Sequence, residues 1–549
     1  MRQIYKEFVE ELFNDRGELA LFRVTAKEDF NFAYDVIDRL AERSPEKRAM
    51  VWCNDKGEEK TFTFKDMKEK SDATASFLQQ LGVKKGDRVM LILKRHYEFW
   101  FTMLALHKLG AIAIPATNQL MEKDIIYRMN IAGISTIVCT GEGIVSDAVD
   151  RAQSQCPTLQ TKIMVRGEKE GWLSFNEGIA HAPAFQKQEL NITLEDPTLI
   201  YFTSGTTGMP KMVAHNFQLP LNHVITAVYW QNVKPDGLHL TISETGWMKA
   251  IWGKLYGQWL AEAGIFVYDF DRFHADEILK RIEKYKVTSL CAPPTMFNLL
   301  LLEGLEKYDL SSLQHTSIAG EALNPDVFNR FYKATGLKLM EGFGQTEAAL
   351  MIATLRHMEP KIGSMGKPVP SYGVDLVDKD GNSVPPGTVG EIVVHTESKH
   401  PYGLFMNYFH DEERTQAAWH DGLYHTGDMA WKDEDGYYWY VSRIDDVIKS
   451  SGYRIGPFEV ESVLMEHPAV LECAITGAPD EIRGQVVKAT IVLNKNYQAS
   501  DELKKELQNF VKAKTAPYKY PRIIDFVSEL PKTISGKIRR SEIRKSNQQ

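Results

Sequence analysis

The strongest constraint on the fold of this chain is one stretch. Leu199-Ile200-Tyr201-Phe202 runs into Thr203-Ser204-Gly205-Thr206-Thr207-Gly208-Met209-Pro210-Lys211. A short apolar run bounded by small polar residues reads as a buried strand, so the loop leaves a sheet at a strand end, where open α/β sheets place their ligands. Two glycines let backbone N–H groups approach oxygen atoms closely, the hydroxyls of Thr203, Ser204, Thr206 and Thr207 add donors, and Lys211 adds a point charge. That combination suits a polyphosphate. It is not a Walker A loop, which needs four residues between its glycines and Lys-Ser/Thr directly after the second one.

At 549 residues the chain is too long for one core and suggests several domain-sized units. With 43% hydrophobic and 25% charged residues it reads as an ordinary folded protein rather than a disordered one. The longest apolar run, near Trp100 to Leu106, stops at His107-Lys108, well short of the roughly 18 residues a membrane helix needs. Glu7, Glu10, Glu11, Asp15 and Glu18 near the start fit neither a secretory signal nor an acid-poor transit peptide. Cys53, Cys139, Cys156, Cys291 and Cys473 form no CxxC pair and are odd in number, which argues against a disulfide framework or a zinc site. The expectation is a cytoplasmic protein. Net charge is -8 for the whole chain, yet from Asp446 onward 17 Lys and Arg face 13 Asp and Glu. A mildly basic tail beside an acidic body suits a small polyanionic ligand and is too weak for nucleic acid.

Helical spacing of Met67, Phe77, Leu78 and Leu81, followed by apolar runs at Val89 to Leu93, Ala111 to Ile114, Thr136 to Cys139 and Ile163 to Val165, predicts layered α/β structure. Between Ser371 and His395 the turns at Gly381-Asn382 and Pro385-Pro386-Gly387 predict hairpins, hence a more β-rich unit. After Gly436 an aromatic strand, Tyr437 to Val441, leads to a further set of strands and helices of about a hundred residues, enough for a separate small core. The expected organisation is an N-terminal domain over 1–444, built of two layered α/β subdomains and a β-rich one, and a small mobile α+β domain over 445–549.

Four more stretches stand in order along the chain: Gly320-Glu321-Ala322, Gly342-Phe343-Gly344-Gln345-Thr346-Glu347, Tyr424-His425-Thr426-Gly427-Asp428, and Arg443-Ile444-Asp445-Asp446-Val447-Ile448-Lys449-Ser450-Ser451-Gly452-Tyr453-Arg454. Pro531-Lys532-Thr533-Ile534-Ser535-Gly536-Lys537 closes the series. Together with the 203–211 loop they resemble the signature motifs of the adenylate-forming superfamily, which includes acyl-CoA synthetases, luciferase and peptide-synthetase adenylation domains. The resemblance covers roughly Phe32 to Arg544. Within that superfamily Ser451 to Pro457 and Thr515-Ala516-Pro517-Tyr518-Lys519-Tyr520-Pro521 are most similar to medium-chain acyl-CoA synthetases.

The resemblance implies an acid–thiol ligase using ATP, Mg²⁺ and coenzyme A. Thr203 to Gly208 and Lys211 would take the phosphates, with Gly320, Glu321 and Ala322 lining the adenine pocket. Phe343, Gln345 and Thr346 would lie against the nucleotide, Phe343 by stacking on the purine. Glu347 would offer the hard oxygen that Mg²⁺ prefers. Asp428 would bind the ribose hydroxyls beside Arg443, Asp445 would be the hinge, and Lys537 the mobile catalytic lysine. For coenzyme A the resemblance points to Ser451, Gly452, Tyr453, Arg454, Arg483, Lys512 and Tyr520. The acyl pocket would hold Trp247 and Gly344, with Trp252 and Trp259 as further lining candidates. A glycine at 344, where acetate-specific relatives resemble one another in having tryptophan, implies an open pocket for medium-chain, branched or aromatic acids. Two alternatives stay open: an amino- or aryl-acid adenylating enzyme that loads a carrier protein, and a non-catalytic nucleotide-binding regulator. The resemblance leaves a homodimer open.

Overall fold

The structure, a computed structural model, describes residues 2–547 apart from 204–208, 322, 398–399, 451–452 and 533–537, and not the Arg454 side chain. Ser204, Gly205, Thr206, Thr207, Gly208, Ala322, Ser451, Gly452 and Lys537 therefore lie outside the described residues.

Two sheets with parallel centres carry most of the chain. The first runs, in spatial order, Asn407–Tyr408, Lys211–Asn216, Pro197–Thr203, Ile112–Pro115, Arg88–Ile92, Thr136–Thr140, Thr161–Val165 and Leu173–Ser174. The second runs Lys367–Pro368, Ile352–Ala353, Leu339–Phe343, His315–Ile318, Ser289–Ala292, Leu238–Thr241, Gly264–Asp269, Arg48–Asn54 and Glu59–Thr63. Their central strands are buried on both faces, as parallel strands covered by helices must be, which is why they read as unbroken apolar runs. The helix Phe64–Gln80 starts at a capping box between Thr63 and Asp66 and buries Phe64, Met67, Ala75 and Leu78. Glu98–Leu109 is buried all round and ends on Gly110 in the left-handed region.

The β-rich part is antiparallel: Val374–Val377, Gly390–His395, Leu423–Lys432 and Trp419–His420 in order, with Tyr438–Arg443 also paired to Leu423–Lys432. It shares the main hydrophobic core, which extends from Ile4 to Tyr438. A separate core, from Ile448 to Ile524, belongs to the C-terminal part alone. There, Val470–Asp480 and Gly484–Leu493 form one long hairpin, with Ile523–Val527 parallel to its second strand. Gly477 and Pro479 interrupt the apolar pattern of the first of these strands without breaking its pairing.

The two parts meet where the helix Pro457–Met465 approaches Tyr438–Arg443. A Cβ on Gly456 would lie 2.7 Å from the Val441 carbonyl oxygen, so the backbones touch there, and Phe458 packs edge-on against Tyr440 at 6.3 Å.

Candidate active site

The C-terminal ends of both parallel sheets, the β-rich unit and one face of the C-terminal part surround a cleft of about 2060 Å³. Thr203 ends one strand and Lys211 begins the next as its direct antiparallel partner, and Thr203, Pro210 and Lys211 line this cleft.

Lys211 Nζ lies 2.9 Å from Glu347 Oε1, and the Tyr408 hydroxyl, which donates to the same oxygen at 2.9 Å, accepts from Lys211 Nζ at 2.6 Å. The ammonium also sits 4.2 Å from the centre of the Tyr408 ring. Glu347 is 6% exposed. Burial by itself would push its carboxyl up, but Lys211 and the Tyr408 hydroxyl more than offset this and hold it below the usual range. The cleft thus contains a buried carboxylate kept ionised by its neighbours.

Asp428 is 4% exposed and fully engaged: Arg443 Nη1 donates to Oδ2 at 3.1 Å, the Tyr440 hydroxyl to Oδ1 at 3.1 Å, and Gln345 Nε2 to Oδ2. Gln345 is fixed in turn by donating to the Thr426 carbonyl at 2.9 Å and accepting from the Tyr424 hydroxyl at 2.7 Å. Burial raises the Asp428 pKa, and Arg443 with the two neutral donors reverses this only in part. Phe343 and Tyr440 lie with ring centres 6.2 Å apart on the same wall. Gly320, at φ +104°, and Glu321 also line the cleft, and Thr346 is tied through its carbonyl to His215 Nε2 at 2.7 Å.

Three cleft residues escaped the sequence reading. Tyr408 bridges Lys211 and Glu347, with no local signal to mark it. Tyr440 was visible only as part of an aromatic strand. Glu341 is 5% exposed, has one carboxyl oxygen without a partner among the described residues, and is pushed up to about 8 by burial, which outweighs a backbone N–H bond at Leu323. An acid inside the otherwise apolar strand Leu339–Phe343 was the available clue.

Trp247 and Gly344 both line the cleft, and the space directly beside Gly344 is occupied: a Cβ there would lie 2.5 Å from Trp252 Cη2 and 2.8 Å from the Ala348 carbonyl oxygen. Trp259 is core, donating to the Ala49 carbonyl at 2.9 Å and packed on Phe32 and Phe64. Among the described coenzyme A candidates, Tyr453, Arg483, Lys512 and Tyr520 are not part of the cleft lining. Tyr453 stacks on Tyr518 at 4.0 Å, Lys512 Nζ lies 4.0 Å over the Tyr520 ring, and Arg483 sits at the hairpin turn with its N–H on Asp480. Instead, the C-terminal part presents Lys532, Ile538, Arg539, Arg540 and Glu461 to the cleft. Asp445 is exposed in the short 3₁₀ turn Ile444–Asp446, and the adjacent Asp446 is paired with Arg544 of the terminal helix.

Among the described residues no helix is long and apolar enough to cross a membrane. The AMP-binding enzyme profile matches residues 37–409, and the AMP-binding enzyme C-terminal domain profile matches residues 459–537. The rat protein named acyl-coenzyme A synthetase ACSM4, mitochondrial, is 42% identical over 94% of this chain and 90% of its own length. Human ACSM5, also named a mitochondrial acyl-coenzyme A synthetase, is 43% identical over 96% and 92%. Among solved structures, the anthranilate CoA ligase AuaEII in complex with anthranoyl-AMP superposes with a TM-score of 0.87 at 29% identity, covering 95% of this chain and 98% of that one. A benzoate CoA ligase from Burkholderia xenovorans LB400 gives 0.82 at 26% identity over 94% and 100%. With both profiles matched in order and relatives above 40% identity along nearly its whole length, the chain belongs to the AMP-binding, adenylate-forming enzyme family.

Proposed function

We propose that the chain is an ATP-dependent acyl-CoA synthetase. The observation that carries this reading is that stretches distant in sequence, around 203–211, 320–321, 341–347, 424–428 and 440–445, line one cleft with the donors and acceptors a nucleotide triphosphate requires. An acid and a thiol do not condense in water, so activation must come first. One carboxylate oxygen attacks the α-phosphorus of ATP, a P–O bond forms, and pyrophosphate leaves to give acyl-AMP. The coenzyme A thiol, losing its proton to solvent, then attacks the acyl carbon and expels AMP.

In this scheme Asp428, backed by Arg443 and Tyr440, binds the ribose diol, Phe343 and Tyr440 flank the purine, and Glu341 accepts from the exocyclic amine. Lys211 and Lys537 meet the phosphates. Glu347, ionised and buried, would hold Mg²⁺, which prefers a hard carboxylate oxygen and would supply charge neutralisation at the phosphates. Among the described residues no group of three or more His, Cys, Asp or Glu is placed to hold a metal.

We place the domain boundary at 444/445 and the hinge at Asp445. Support comes from the separate C-terminal core and from the exposed turn between the two parts. The cleft here is lined by Lys532 and Ile538, the residues flanking 533–537, whereas Tyr453, Lys512 and Tyr520 face elsewhere. This is the arrangement for the first half-reaction. Rotation about Asp445 would bring Gly452 and the coenzyme A residues to the acyl-AMP.

With Gly344 and Trp247 lining the cleft and Trp252 set beside Gly344 to limit its reach, the acids we favour are C4 to C8, compact branched or aromatic, with acetate poor. CoA-dependent AMP formation across a panel of C2 to C12, branched and aromatic acids tests the assignment; the activity fails as a reading if no acid supports it. A cytoplasmic location is consistent with five reduced, buried cysteines, which a mitochondrial matrix would equally allow. Fractionation of the source cells separates the two.

A further inference from the structure

We propose that Glu391 is a positioning residue for the ribose-binding aspartate. This rests on the reading of Asp428 above. The strand Gly390–His395 pairs with Leu423–Lys432, but the ladder is interrupted where the nucleotide site lies: Glu391 pairs with Met429 and Val393 with His425, so the single residue Ile392 faces three, Thr426, Gly427 and Asp428. A bulge of this kind re-aims a side chain and leaves backbone groups without ladder partners.

Side chains take the place of the missing ladder. The Glu391 carboxylate accepts from the Gly427 N–H at 2.9 Å and engages His425 Nδ1 at 3.0 Å, spanning the turn from below. Thr426 Oγ1 donates to the Ile392 carbonyl at 2.7 Å and accepts from the Asp428 N–H at 3.1 Å. Gly427 itself is at φ +69°, and a Cβ there would lie 2.8 Å from Arg443 Nη2. The segment that presents Asp428 to the cleft stays in the strand Leu423–Lys432 and pairs through Asp428 with Arg443 on one side, but on the Gly390–His395 side the ladder is interrupted and cannot hold it. Glu391 fixes its middle N–H, while His420, stacked on His425 at 4.0 Å, closes the outer side of the same carboxylate–imidazole pair. Without the acceptor at Gly427 the bulge is free to relax toward a regular ladder on the Gly390–His395 side, which would re-aim the Asp428 carboxylate away from the ribose.

The test is hydroxyl discrimination, measured as binding of AMP, 2′-deoxy-AMP and 3′-deoxy-AMP by titration calorimetry on the full chain. The wild type should lose about 10- to 100-fold in affinity for each missing hydroxyl, as expected for a hydrogen bond to a charged group. Glu391→Met, of similar volume and without acceptors, should shrink that discrimination to about threefold or less, and Glu391→Ala should do the same if the thioether disturbs folding. Glu391→Gln keeps an oxygen for the Gly427 N–H and should retain most of the discrimination. Asp428→Asn serves as the control. If it leaves the deoxy penalties intact, the ribose reading of Asp428 itself is wrong. If it abolishes them while Glu391→Met and Glu391→Ala keep the wild-type ratios, or if Glu391→Gln behaves like Glu391→Met, the positioning role is overturned. Loss of stability alone would weaken all three nucleotides equally and leave the ratios unchanged.

Discussion

The proposed nucleotide cleft and the proposed coenzyme A face of the C-terminal part are both polar, yet they are built in opposite ways. In the cleft, Glu347 and Asp428 are 6% and 4% exposed and every close neighbour is a donor held by something else. On the C-terminal face, Tyr453 and Tyr518 are 50% and 37% exposed, stacked on each other, and Lys512 and Arg522 lie over Tyr520. Buried charges cost free energy to desolvate and are tolerable only in a finished network, so the cleft is set before any ligand arrives. Exposed cations and rings are cheap to keep and are ordered by the ligand they meet. A site that must discriminate at phosphorus is preformed, and one that need only deliver a thiol is not.

The largest effect should come from breaking the cleft. Lys211→Met strands Glu347 without its cation, and removing one partner of a buried pair typically costs about 3–5 kcal/mol. Adenylate formation should fall about 10²- to 10³-fold by pyrophosphate exchange, the range typical of losing one transition-state donor. Lys512→Met on the open face should change stability by less than about 0.5 kcal/mol in urea unfolding. Comparable losses in both variants would erase the contrast between the two regions.

A second expectation concerns Glu341. Its folded pKa, about 8, lies above that of a free glutamate, so the folded state holds a proton that the unfolded chain has released across that window. The stability it confers is fully present below about pH 4.5 and is lost as pH rises toward 8, because folding then binds a proton. Glu341→Gln should therefore flatten the fall in unfolding midpoint between pH 5 and 8 and exceed the wild type at the alkaline end. Parallel curves for the two proteins would show that Glu341 is ionised throughout.

Smaller again is the acyl pocket. Trp252→Ala should move the optimum toward longer chains, by about fourfold in kcat/KM per added methylene at about 0.8 kcal/mol each. Gly344→Trp cannot simply narrow the pocket, because Trp252 already occupies the space, and should misfold or inactivate unless Trp252→Ala accompanies it. An active Gly344→Trp single variant would contradict that packing. The smallest effect is expected for Tyr520→Ala: a few-fold rise in KM for coenzyme A with pyrophosphate exchange untouched.

Much of this was legible in the sequence, for physical reasons. Apolar strands such as Arg88–Ile92 and Thr136–Thr140 announce themselves because both faces are buried, and motifs such as Gly342 to Glu347 and Tyr424 to Asp428 are local. What stayed hidden was what only tertiary packing decides. Tyr408 is an ordinary tyrosine until the pairing of Lys211–Asn216 with Asn407–Tyr408 sets it between Lys211 and Glu347. Three nearby tryptophans look alike in sequence, while in the fold Trp247 faces the cleft, Trp252 seals Gly344 and Trp259 belongs to the core. Likewise, nothing local shows that Glu391 stands opposite a bulge.

The most direct test of the two-arrangement account is to measure the half-reactions separately in two variants, acid-dependent pyrophosphate exchange without coenzyme A and thioester formation from supplied acyl-AMP. Lys537→Ala should lose the first by about 10²-fold or more and keep the second, since its loss removes charge stabilisation at the phosphates only. Gly452→Leu should keep the first and lose the second, because a side chain would block the path of the thiol. If either variant loses both half-reactions equally while remaining folded, one cleft served by two faces of the C-terminal domain is the wrong description.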